Sequence, residues 1–114
     1  MKVNFLERLP KEYSSYGDLG ELDKYDMEAL NNLDLDEIWY WYSYAQYEGS
    51  GQILMRKGDL YDIHDAGHCS CYGPIDRVDF KGQKLNELAK SLSKDYMRNE
   101  AIELFELAGW KNGC

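Results

Sequence analysis

Hydrophobic and polar positions along the chain fall into three regimes. Early on they are sparse and irregular. Val3, Phe5, Leu6 and Leu9 gather before Pro10, a pattern that fits a short helix or a strand alike. Tyr13 to Gly20, with Ser14-Ser15, Gly17 and Gly20, reads as a loop. Asp26 is placed to cap a short helix that carries Met27 and Leu30 on one face and stops at Asn31-Asn32, although a start near Leu19 also fits.

The middle of the chain is β-patterned. Ile38 to Tyr47 is nearly all β-favouring residues. One face would carry Ile38, Tyr40, Tyr42 and Tyr44, the other Trp39, Trp41, Ala45 and Tyr47. Large aromatics on both faces predict a central strand covered from each side. Glu48-Gly49-Ser50-Gly51 reads as a hairpin connection, Gln52 to Lys57 as the return strand and Gly58-Asp59 as a second turn. Leu60 to His64 gives a third strand. His68 to Tyr72 offers a short fourth strand before Gly73-Pro74.

The last third is helix-patterned. Leu85, Leu88, Ala89, Leu92 and Tyr96 follow one helical stripe, and Met97, Ala101, Leu104, Phe105 and Ala108 follow another, rotated one. The rotation predicts a break near Ser93 to Asp95. Gly109 stands where a helix-ending glycine belongs, with Trp110 placed to fold back on Phe105. The whole is an α+β domain spanning residues 1–114: a small antiparallel meander of three or four strands, a short N-terminal helix, and C-terminal helices packed on the sheet.

Charge changes this picture. The formal net charge of the 114 residues is −8. Nine acids and one base, Lys24, lie between Glu12 and Glu37, so this segment holds the entire excess. Its carboxylates, among them Asp18, Glu21, Asp23, Asp26, Glu28, Asp34, Asp36 and Glu37, repel nucleic-acid phosphates and attract basic proteins. They make either a solvated face or a mimic of a phosphate backbone that occupies a basic groove. Tyr40 and Tyr42 are candidate aromatic anchors for such a partner. The aromatic strand is also a candidate base-stacking platform, but only Arg56 and Lys57 lie near it to hold phosphates, which favours core packing. No run of about 18 apolar residues suggests a membrane span. The early charges of Lys2, Glu7 and Arg8 do not suit a secretory leader, and three cysteines fit a reducing cytosol better than a disulfide framework.

One cluster invites chemistry. His64, His68, Cys69 and Cys71 fall within eight residues and are a candidate zinc set, although the distant second ligand pair usual for zinc is lacking. The same residues, with Asp62 or Asp65 as orienting acid, are candidates for a Cys/His nucleophile, but no helix N-terminus stands by to lower the thiol pKa. The plain alternative is cysteines as small buried hydrophobes and histidines bonded within a turn.

Tyr47-Glu48-Gly49-Ser50-Gly51 and His68-Cys69-Ser70-Cys71-Tyr72-Gly73-Pro74 resemble a pair of segments in small phage and prophage proteins. The resemblance covers the middle third of the chain and brings no residue role with it. What it implies is context: a short intracellular protein of a bacterial host, borne by a phage. Such proteins often act by binding and blocking a host enzyme, including defence nucleases of the CRISPR kind. The expected function is therefore a non-enzymatic, acidic, protein-binding inhibitor of a basic host protein. It would bind neither nucleic acid nor a cofactor, with a zinc-stabilised or Cys/His-dependent domain as the alternative.

Overall fold

A computed structural model describes residues 1–6, 18–19, 24–45, 48–65, 80–92 and 99–111. For 18–19, 24–26, 43–45, 48–50 and 99–100 it is the backbone that is described. The elements run β1 (Lys2–Phe5), β2 (Asp18–Leu19), α1 (Lys24–Asn31), β3 (Glu37–Ala45), β4 (Glu48–Lys57), β5 (Leu60–Asp65), α2 (Leu85–Ser91) and α3 (Asn99–Leu107). The class is α+β.

The sheet is mixed, not purely antiparallel. Its order is β1-β3-β4-β5, with β2 added beside β3. β3, β4 and β5 pair antiparallel, whereas β1 runs parallel to β3 with Lys2 opposite Glu37 and Phe5 opposite Tyr40. Nothing local in Val3-Asn4-Phe5 dictates a parallel partner, which requires a long crossover through α1. The two-residue β2 pairs antiparallel with Tyr44 and Ser43, so β1 and β2 share one edge of β3 end to end.

β3 is the central strand, and Ile38 through Tyr42 are all buried. Alternation sends its side chains into two separate cores. Ile38, Tyr40 and Tyr42 pack with Ile53, Met55, Leu30 and Leu35, and with Phe5, Met27 and Phe80 at the margin. Trp39 and Trp41 pack with Leu54, Leu88, Ala89, Leu104 and Phe105. α1 and the turn after it cover the first face; α2 and α3 cover the second. One buried polar contact is embedded in this second face. The Trp41 indole N–H donates to Gln52 Oε1 at 2.8 Å, between residues directly opposite on β3 and β4. The pairing satisfies a donor and an acceptor that would otherwise be costly to bury.

Two local expectations need correction. Gly49 and Gly51 are not a hairpin loop: β4 already begins at Glu48, and the glycines stand in the strand opposite Tyr44 and Tyr42. A strand glycine leaves room across the ladder for a large partner, as Gly51 does for buried Tyr42. Asp26 does not cap α1, because the backbone is helical from Lys24. The fourth strand expected over 68–72 and the break expected at 93–95 lie outside the described residues. α2 has nonetheless ended by Leu92, which is extended.

The end of α3 follows its sequence signal closely. Gly109 adopts φ 106°, its amide donates to Glu106 O at 3.0 Å, and the Trp110 amide donates to Phe105 O at 2.9 Å. The Trp110 ring then meets Phe105 edge-on with centroids 5.8 Å apart. This is a glycine-terminated Schellman closure with its accompanying apolar contact.

The buried indole bond has a measurable signature. Trp41→Phe, Gln52→Leu and the double variant, followed by urea unfolding, are expected to give a coupling energy of about 1 kcal/mol. Additive effects would show that the bond contributes nothing.

Candidate partner-binding surface

The acidic segment meets the sheet where β3 begins, and the strand register decides what its last two acids do. Lys2, Glu37 and Arg56 are direct neighbours across β1, β3 and β4. Glu37 is thus flanked by two cations, with Lys2 Nζ at 3.8 Å and Arg56 Nη2 at 3.4 Å. The Asn4 amide also donates to it at 2.9 Å. Its side chain is only 16 % exposed and that of Arg56 27 %, so Arg56–Glu37 is a half-buried pair that anchors the strand ends, with exposed Lys2 beside it. Asp36 lies 3.7 Å from Arg56 and accepts the Gly58 amide at 2.6 Å, tying the β4–β5 turn to the start of β3. Arg56 completes the loop by donating to Gly58 O at 2.8 Å. Two acids and two bases cancel at this corner.

The acids before this corner are arranged differently. Glu28, on the outer side of α1, and Asp34, in the turn after it, are both exposed and form no ion pair among the described residues. Asp34 adopts φ 55°, a left-handed conformation that Asp tolerates better than most residues. The turn is held by the Asp34 amide donating to Asn31 O at 3.1 Å, and by Lys57 Nζ donating to Leu33 O at 3.1 Å. For Asp18 and Asp26 only the backbone is described, in β2 and α1, and Glu21 and Asp23 lie outside the described residues.

Tyr40 and Tyr42 do not serve as anchors. They are 3 % and 5 % exposed, enclosed by the α1 layer, and the Phe5 ring packs on Tyr40 with centroids 5.1 Å apart. From Ile38 to Tyr42 the strand is covered on both faces, so neither of these two rings is presented outward.

The His/Cys cluster is only partly within reach. His64 is half-buried in β5 opposite Ile53, while His68, Cys69 and Cys71 lie outside the described residues. Among the described residues, no group of three metal-binding side chains comes together. Both Asp62 oxygens are engaged by backbone amides, Oδ1 by Ile63 at 2.9 Å and Oδ2 by Lys81 at 2.8 Å. Asp62 therefore serves the strand edge and is a poor orienting acid for a catalytic histidine. Sequence reasoning missed Arg56 and Asn4, whose roles appear only once the cross-strand register is known.

A separate ion pair, wholly at the surface, joins Asp59 of the β4–β5 turn to Lys84 just before α2. The hydrogen bond from Lys84, reinforced by its charge, lowers the Asp59 pKa below its ordinary 3.8. The same bond and charge raise Lys84 above its ordinary 10.5. The depressed carboxyl contributes stability above its ordinary value, and that contribution is lost as pH falls through the lowered one. The raised amine contributes below its ordinary value, and that contribution is lost as pH rises through the raised one.

The chain matches no family model, no curated protein and no solved structure.

Two outcomes follow from these charges. Arg56→Met leaves half-buried Glu37 with one distant cation, and is expected to lower the unfolding free energy by about 1–3 kcal/mol in denaturant titration. An unchanged midpoint would show that the corner is decorative. Lys84→Met is expected to return the Asp59 titration upward to the ordinary carboxylate range by carboxyl NMR, with no resolvable change in melting at neutral pH.

Proposed function

We propose that the chain is a non-enzymatic binding domain, carried by a phage or related mobile element. Its acidic segment, 12–37, docks on a basic surface of a bacterial nucleic-acid-handling or defence protein and blocks it, in the manner of an anti-CRISPR or DNA-mimicking inhibitor. The observation that carries this reading is the division of labour among the acids. Asp36 and Glu37 are consumed at the sheet corner, whereas Glu28 and Asp34 stand exposed on the α1 layer without a neutralising base among the described residues. A layer of uncompensated carboxylates steers a cationic protein and repels nucleic acid. The anchors cannot be Tyr40 and Tyr42, so affinity rests on the charged layer and on whatever apolar contacts surround it. No helix among the described residues is long and apolar enough to cross a membrane.

The test is capture from a bacterial lysate with the chain as bait, compared with a variant carrying Glu21→Gln, Asp23→Asn, Glu28→Gln and Asp34→Asn. Asp36 and Glu37 are spared because they hold the fold. Basic nucleic-acid-handling proteins are expected on the wild-type bait at about 50 mM salt, falling off sharply at about 500 mM as screening shortens the reach of the charges. The variant is expected to retain them about tenfold less well. Retention that ignores both salt and neutralisation sinks the proposal.

A further inference from the structure

The two edges of the sheet are treated differently. At the β5 edge, Tyr61 exchanges two backbone hydrogen bonds with Gln83, at 2.7 and 2.9 Å, and the outward amide of Ile63 is taken by the Asp62 carboxylate. These are the usual devices that blunt a strand edge. Among the described residues the β1 edge shows no such device. The Lys2 amide donates to Asp36 O at 3.0 Å and the Leu6 amide to Tyr40 O at 2.8 Å. Alternate residues of a strand face a given neighbour, so Lys2, Asn4 and Leu6 face β3. Val3 and Phe5 therefore turn their N–H and C=O groups outward. Among the described residues these four groups have no backbone partner. Val3 is 41 % exposed and Met1 42 %, so two of the exposed large hydrophobics among the described residues sit at this same edge.

We propose that the outer edge of β1 pairs antiparallel with β1 of a second copy of the chain. The dyad passes through Asn4, so that Val3 and Phe5 of one copy exchange hydrogen bonds with Phe5 and Val3 of the other. The occupant is argued from register and from charge. Val3 and Phe5 are two residues apart, and a dyad at Asn4 is the antiparallel register that satisfies all four outward groups at once. It sets Val3 against Phe5 on the α1 face and Lys2 against Leu6 on the other, with no like charges opposite. Charge selects the same meeting place. The excess of −8 lies in residues 12–37, which opposes self-association through that segment. β1 itself contains no acid, and the nearest carboxylate across the ladder, Glu37, is already held by Lys2 and Arg56. Along β1 itself the two copies bring no carboxylate opposite another, and a basic peptide would find no carboxylate on the strand to pair with. A strand edge this short gives a weak, concentration-dependent dimer, as interfaces below about 1,200 Å² do.

The test uses the full chain in sedimentation velocity from low micromolar to about 1 mM, the range in which weak association is measurable. Val3→Pro removes an outward amide that takes no part in the β1–β3 ladder, and Val3→Lys places a cation opposite Phe5 of the other copy. A monomer–dimer equilibrium is expected for the wild type, with dimerisation weakened about tenfold or more in both variants. Amide exchange at Val3 and Phe5 is expected to slow as concentration rises. Circular dichroism reports whether each variant has kept its fold, and Val3→Lys decides the matter if Val3→Pro has not. A wild type that stays monomeric across the range overturns the proposal. So does a dimer that both folded variants leave intact, since the contact then lies elsewhere. A monomer that instead adds an unrelated extended peptide at this edge overturns it in favour of strand capture.

Discussion

The structure depends on a strand that is buried on both faces through its first half. From Ile38 to Tyr42 five consecutive side chains are buried, three toward α1 and two toward α2 and α3. Each core alone is small for a chain of this length. Joined through β3 they form two layers on one sheet, and the aromatic residues supply much of the area that leaves water. The alternating geometry of a strand is what lets one short segment nucleate both.

Two sets of polar contacts among the described residues tie the sheet together. Inside, Trp41 and Gln52 satisfy each other across the ladder. At the corner, Arg56 gathers Glu37, Asp36 and the Gly58 carbonyl, so that two strands and a turn share one cation. The fork of a guanidinium suits this role, because its donors point at several acceptors at once. The consequence for function is a partition of the acidic segment: its final residues are structural, and its earlier ones face solvent where they are described.

Much of this was readable beforehand. The doubly buried nature of β3 followed from β-favouring residues at odd and even positions alike. The closure of α3 followed from Gly109 and Trp110, because that motif is written in neighbouring residues. What was not legible depended on pairing between distant segments. The parallel partner of β3 was invisible because Val3, Asn4 and Phe5 fit several structures. The glycines of β4 looked like a turn because Gly reads as punctuation until a tyrosine is known to lie across from it. Tyr40 and Tyr42 looked like anchors because composition cannot say which aromatic faces are covered. The acids looked uniform because only the register reveals that Glu37 sits between Lys2 and Arg56.

The parallel placement of β1 bears on how the chain assembles. β3, β4 and β5 are linked by short connections and can zip together locally. β1 reaches β3 only after the chain has travelled through β2 and α1, so its ladder closes a loop that spans the first third of the sequence. The entropy of that closure is recovered only once β3 is already in place. The strand that leads the chain is thus expected to dock last and fray first. Phe5, at the margin of one core, and Leu6, buried in the other, would be the first apolar contacts surrendered on the way to unfolding.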